Sequence, residues 1–198
     1  NSVYEDSVEL ILGDGNALYT NNFSTYTYNY ENTGTTVDTN AIELRAYNDE
    51  GCVKIWHDTI IVYPRVEAAF SVDTGRVCNT GPIQFTRTSP EGTHIASEFH
   101  WTFGDGSNSD STAALFSKTY TNTTTSNQNY NVQLIAESQY GCADTATHTV
   151  MAYRALANYV LDETDGCSPL DVNITSTIRG NDAEINYQWV FDNGNTST

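Results

Sequence analysis

The chain has 198 residues and a formal net charge of −17, with 25 Asp and Glu against 8 Lys and Arg. That balance argues against nucleic acid or an anionic membrane surface as partner, since both demand a basic face. No apolar run reaches the length of a membrane span.

Residues 8–12 alternate and run into Gly13-Asp14-Gly15, so a strand ends there in a tight turn. Tyr26-Thr27-Tyr28-Asn29-Tyr30 alternates as a half-buried strand does. Ile42, Leu44 and Ala46 alternate with Glu43 and Arg45 before Gly51-Cys52. A short strand is expected at 59–63, and Pro64, which cannot continue a ladder, marks a joint. Further strands are expected at 67–72, 83–89, 98–103, 113–120, 130–137 and 145–152, separated by turn clusters at 73–75, 89–92 and 121–129. Phe99, Trp101 and Phe103 fall on one face of their strand. Gly104-Asp105-Gly106 then stops it: the glycines accept positive φ and the carboxylate holds the turn's amides. A last stretch runs from 154 through Tyr159, Val172 and Ile174 to Trp189 and Asp192-Asn193-Gly194.

The chain repeats itself. Leu10 stands 91 positions before Trp101, and Val132, Leu134 and Ala136 lead to Gly141-Cys142 as their counterparts 90 positions earlier lead to Cys52. Many short strands with no helical period read as all-β, in tandem immunoglobulin-like β-sandwiches. The expected domains are 1–63, the C-terminal part of one repeat; 64–153, a complete repeat; and 154–198, the N-terminal part of another. The stretch shows no Met start, no basic n-region and no apolar h-region, so any export signal or anchor is expected to lie outside it.

None of the four cysteines forms a C-x-x-C pair, which argues against zinc ribbons and thioredoxin-like sites. Cys52 and Cys142 lie 90 positions apart, and Cys78 and Cys167 lie 89 apart. In this register Cys78 and Cys142 belong to one repeat and are expected to bond to each other, which implies an oxidising, extracytoplasmic compartment. The alternative is four buried free thiols.

Trp101-Thr102-Phe103-Gly104-Asp105-Gly106 resembles the W-x-F-G-D-G signature of PKD (polycystic-kidney-disease-type) domains. Gly141-Cys142-Ala143-Asp144-Thr145 and Gly166-Cys167-Ser168-Pro169-Leu170 are similar to Cys-containing PKD-like repeats of Bacteroidota, found in giant surface and gliding-motility adhesins. The resemblance implies an immunoglobulin-like sandwich and a secreted or cell-surface location. Its implied role is that of a structural or adhesive segment of a filamentous protein, a stiff disulfide-bridged spacer. Its partners would be neighbouring repeats and surface polysaccharide or other surface proteins. The alternative is a carbohydrate- or protein-binding accessory module of a secreted hydrolase.

No enzyme is expected. No nucleophile elbow, P-loop or Cys–His pairing is visible, and His57, His94, His100 and His148 show no metal-binding spacing. Asp14 and Asp105 read as turn holders rather than calcium ligands. Asp162, Glu163 and Asp165 crowd one loop, the place left open for calcium, although a solvated acidic loop is the plainer reading. No other cofactor is expected. Asn22, Asn122, Asn173 and Asn195 begin N-x-[ST] triplets of the kind chance produces in so Asn- and Thr-rich a chain. Asp6-Ser7, Asp58-Thr59, Asp110-Ser111 and Asp144-Thr145 resemble the Bacteroidota O-glycosylation acceptor, so Ser7, Thr59, Ser111 and Thr145 are candidate sugar sites; the alternative is plain strand-edge residues. Tyr26, Tyr28 and Tyr30 read as core or cross-strand pairs rather than a sugar platform.

Overall fold

The computed structural model describes residues 7–21, 25–92, 95–179, 188–192 and 194–197. Asp6, Asn22, His94 and Asn193, named above, lie outside the described residues. Every regular element among the described residues is a strand, in keeping with the β-branched and aromatic alternation. Two compact units form, one of residues 1–68, 89–99 and 135–145, the other of residues 69–88, 100–134 and 146–198.

In the first unit, β1 (Ser7–Ile11), β2 (Ala17–Thr20), β3 (Asp38–Tyr47) and β4 (Val53–Val62) make an antiparallel sheet in the order β2-β1-β3-β4. Leu10 pairs with Leu18 on one side and Leu44 on the other, which fixes the register by its apolar row. β4 is an edge strand of ten residues, longer than the expected 59–63, and Val53, Ile55, Trp56, Ile60 and Ile61 are exposed along it. Its early half escapes the alternation rule because Lys54, His57 and Asp58 put polar groups on both faces. Among the described residues, 25–30 belong to no ladder, contrary to the expected strand at 26–30; the Tyr28 and Tyr30 hydroxyls are bonded to Asp14 and to Leu12 O instead.

β5 (Phe70–Val72), β7 (Thr80–Arg87) and β10 (Leu115–Thr121) form a three-stranded antiparallel sheet in the order β10-β7-β5. A five-stranded sheet takes β6 (Arg76–Cys78), β12 (Ala143–Tyr153), β11 (Gln128–Glu137), β8 (Glu98–Thr102) and β9 (Asn108–Ser109) in that order, with β6 parallel to β12. The hairpins of β13 (Leu156–Leu161) with β14 (Ile174–Arg179), and of β15 (Trp189–Val190) with β16 (Thr196–Ser197), complete the set.

The three- and five-stranded sheets face each other through aromatic rings, and the result is an immunoglobulin-like β-sandwich. Trp101, fully buried, takes Phe70 at 5.0 Å and Phe116 at 5.1 Å edge-on. Phe85 lies 6.0 Å from Trp101 and 6.0 Å from Phe103. Burying each such side chain contributes roughly 1.5–3 kcal/mol. Ile83 and Phe85 on β7, Val132, Leu134 and Ala136 on β11, and Val150 and Ala152 on β12 close the core, each two residues from the next, as a two-residue period dictates.

The same hydrogen bonds recur along the chain. Asn122 is buried, and its Nδ2 donates to the carbonyls of Ser126 and Ala152 at 2.8 Å each while its Oδ1 accepts from Thr124 N. Asn32, 90 positions earlier, donates to Thr36 and Val62 and accepts from Gly34 N. The Tyr120 hydroxyl donates to Phe103 O, and that of Tyr30 to Leu12 O. Asp73 N donates to Gln84 O while Gln84 N donates to the Asp73 carboxylate, and Asp162 and Asn173 repeat both bonds 89 positions on.

Candidate functional site

The Gly104-Asp105-Gly106 turn follows β8, with Phe103 between. Phe103 N donates to Ser107 O, closing the turn, and the Asp105 carboxylate accepts from Ser107 N at 3.0 Å. Lys118, reaching across from β10, meets the other carboxylate oxygen at 2.7 Å. Desolvation pushes the Asp105 carboxyl up, but the Lys118 ammonium and the Ser107 hydroxyl and amide outweigh it and hold the group at about 2. Asp14 is built the same way, with Asn16 N at 3.0 Å and the Tyr28 hydroxyl at 2.5 Å in the place of lysine. Both aspartates therefore spend their oxygens on protein donors, in the turn-holding role expected of them.

Asp105 is depressed from an ordinary value near 3.9 to about 2, so its contribution to stability is present above about pH 4 and fades as pH falls toward 2. Lys118→Met is expected to raise the Asp105 pKa by about one unit and to flatten the acid limb of stability in that window. An NMR carboxyl titration unchanged by the substitution would remove Lys118 from this account.

In the acidic loop, Asp162 accepts both the backbone and side-chain amides of Asn173 at 2.7 Å, which keeps its carboxyl below the usual range. Among the described residues no group of three His, Cys, Asp or Glu side chains is placed to hold a metal ion. Of the candidate sugar acceptors, Ser7 is half-buried in β1 and Ser111 half-buried with its hydroxyl accepting from Ala113 N, while Thr59 on β4 and Thr145 on β12 are exposed. Two tyrosines of the expected aromatic face are occupied with hydrogen bonds to Asp14 and Leu12.

The expected Cys78–Cys142 bond is not formed; all four cysteines are free thiols. Cys78 is in register with Tyr153, the last residue of β12, whereas Cys142 directly precedes Ala143, its first. A strand of that length advances roughly 3.3 Å per residue, and a disulfide tolerates Cα atoms only about 4.4–6.8 Å apart. The spacing of the cysteines along the sequence is silent on which end of the strand each occupies. Cys52, Cys78 and Cys167 are exposed and Cys142 is half-exposed, so the alternative of buried thiols fails as well.

Two connecting segments, around Pro64 and around Arg154, are held by specific contacts. At the first, Pro64 is fully buried, the Tyr63 and Tyr140 rings stack at 3.9 Å and 13°, and Ala68 N donates to the Asp144 carboxylate at 2.9 Å. That amide is the main cause of the lowered Asp144 pKa. At the second, Asn79 adopts a positive φ of 54, which asparagine tolerates, and its Oδ1 accepts from Ala155 N and from Arg154 Nη1. Arg154 also donates to Asn122 O through Nη1 and to Asn127 Oδ1 through its backbone amide. Two asparagine side chains and one backbone carbonyl, from positions 27 to 76 residues away along the chain, thus converge on two consecutive residues.

A second polar cluster lies on the four-stranded sheet. Glu9, buried, accepts from the hydroxyls of Tyr19 and Tyr47 and faces Arg45 at 3.4 Å; Arg45 in turn meets Glu43, which lies 3.6 Å from His57. The Tyr19 hydroxyl is the first cause of the lowered Glu9 pKa. Cross-strand register explains the grouping, since Glu9 pairs with Tyr19 and Arg45, and Glu43 with His57. Only pairings absent from the linear sequence would have revealed it. At the equivalent place on β8, His100 faces Asp110 at 2.8 Å.

The PKD domain family model matches residues 64–152. The PKD1 domain of the Vibrio cholerae metalloprotease PrtV is similar at 23% identity and a TM-score of 0.32, over 44% of this chain and 94% of that one. An amphioxus IgVJ-C2 molecule is similar at 13% identity and a TM-score of 0.34, over 73% of this chain and 87% of that one. No curated protein matches. No helix among the described residues is long and apolar enough to cross a membrane.

Proposed function

We propose that this chain is a structural, adhesive segment of a large secreted or cell-surface filamentous protein, in which PKD-like sandwiches follow one another at 1–63, 64–153 and 154–198 and act as a stiff spacer without catalysis. The observation that carries the reading is the recurrence of whole hydrogen-bond sets, the Asn32/Asn122 and Asp73/Asp162 pairs above all, at 89 and 90 positions. Stiffness in this reading comes from the segments around Pro64 and Arg154, where side chains clamp the connecting backbone. Its partners are the neighbouring repeats and surface polysaccharide or proteins, and its location is extracellular. The exposed Thr59 and Thr145 are the acceptors best placed for sugars.

Arg154→Ala tests the spacer. Loss of the bonds to Asn79 and Asn122 is expected to speed hydrogen exchange at the Ala155 amide about tenfold and to loosen the relative tumbling of the flanking segments. Exchange and NMR relaxation identical to those of the parent would mean that the clamp does not limit bending.

The cluster of Glu9, Tyr19, Arg45 and Tyr47 favours a second reading, a binding module for polysaccharide. Aromatic hydroxyls beside fixed carboxylate and guanidinium groups suit sugar hydroxyls. Arg45→Ala abolishing retention on a polysaccharide matrix would favour it, and an absence of retention by the parent chain would dismiss it.

A further inference from the structure

We propose that Cys78 and Cys142 form disulfides across the boundary between successive repeats, the Cys78-type thiol of one repeat bonding to the Cys142-type thiol of the next. This rests on the tandem reading above.

Each cysteine sits at one boundary. Cys78 ends β6, and the next residue, Asn79, accepts hydrogen bonds from Arg154 and Ala155, the residues that leave the sandwich. It therefore marks the trailing end. Cys142 closes the turn opened by Ser138, whose N donates to Cys142 O, and Tyr140 in that turn stacks on Tyr63, the residue entering from the preceding segment. It marks the leading end.

The two tyrosines at the boundaries join these observations. Tyr63 and Tyr153 stand 90 positions apart, each the residue before a connecting segment. Cys78 is the parallel-ladder partner of Tyr153, roughly 4.8 Å away. Both point away from the core: Val77 and Ala152, their neighbours, take the more buried positions. At any boundary the trailing cysteine thus lies one strand from the tyrosine whose ring stacks, as Tyr63 does on Tyr140, two residues before the leading cysteine. Both positions recur as cysteine: Cys52 closes its turn with the Asn48 bond that matches Ser138–Cys142, and Cys167 follows Cys78 at 89. All four thiols are exposed or half-exposed, hence open to exchange. Each bond takes one proton from either thiol and passes two electrons to a disulfide oxidant, such as oxidised glutathione, which leaves as two thiols.

The experiment inserts a second copy of residues 64–153 after Tyr153 in the full chain, so that the new boundary holds both cysteine types and the protein carries two cysteines more than its natural four. In a glutathione redox buffer, two thiols are expected to disappear on titration of the folded protein. Cys78→Ser in the first copy should leave all of the remaining thiols titratable, whereas Cys78→Ser in the second should still leave two of them missing. Loss that follows the second copy's Cys78, or a full complement of free thiols in a folded protein, overturns the proposal. Tryptophan emission and a thermal melt report whether the inserted copy folds. If it does not, the tandem reading falls; if it folds with every thiol free, only the disulfide falls.

Discussion

Trp101→Ala is expected to remove about 4 kcal/mol of folding stability, the upper part of the range for deleting a buried aromatic. Among the described residues Trp101 heads the large fully buried side chains: the indole meets the rings of Phe70, Phe85, Phe103 and Phe116. These rings come from both sheets, so a cavity there cannot close by moving one strand. Trp101→Phe should cost less than half as much. The indole Nε1 is buried without a hydrogen-bond partner, so phenylalanine forfeits packing volume and no bond. Denaturant unfolding of both variants measures this, and equal losses from Phe and Ala would show that shape rather than volume governs the site.

Gly104→Ala is expected to cost about 3 kcal/mol, although it adds a single methyl group. Gly104 has φ +75, and a Cβ there would lie 2.7 Å from Asn131 N and 2.8 Å from Asn131 O. Left-handed backbone costs a non-glycine residue about 1–2 kcal/mol, and forced overlap in a packed region about 1–3 kcal/mol more. The colliding atoms are backbone of β11, which cannot swing aside as a side-chain tip does. Gly106 is the control. Its φ is +88 but a Cβ would meet nothing within 4 Å, so Gly106→Ala carries only the conformational cost, about 1–2 kcal/mol. Urea melts giving the same loss for both would dismiss the contact with Asn131. Gly13 repeats the arrangement against Ala41, which is why Leu12-Gly13-Asp14 keeps the turn although Leu10 stands where tryptophan would.

The strand of Trp101 and its turn were legible because a two-residue period followed by Gly-Asp-Gly has one economical backbone solution. A spacing of about 90 positions was legible from cysteines and aliphatic triplets, and hydrogen-bond sets recur at the same spacing. Asn122 was not: read locally it is the start of an N-x-[ST] triplet, and its occurrence 90 positions after Asn32 gains meaning only when both amides are seen gripping carbonyls at the ends of β4 and β12. β6 was missed because three residues carry no period. The cysteine pairing failed for a related reason. Spacing along a chain that reverses direction at every turn says which repeat a residue belongs to, and the end it occupies depends on how many reversals intervene. The Glu9 cluster was hidden in the same way, by partners contributed from three strands.

β6 lies parallel to β12, its three residues set against Met151–Tyr153, where the chain leaves the sandwich. Because the pair is parallel, tension from the chain before β6 and the chain after β12 draws the two strands in opposite directions along their common axis. The rungs between Arg76–Cys78 and Met151–Tyr153 are then loaded side by side, sharing the pull, whereas a hairpin tugged at its open end peels one rung at a time. A short pair of strands can in this way act as a mechanical latch, with rupture governed by the unfolding rate rather than by equilibrium stability.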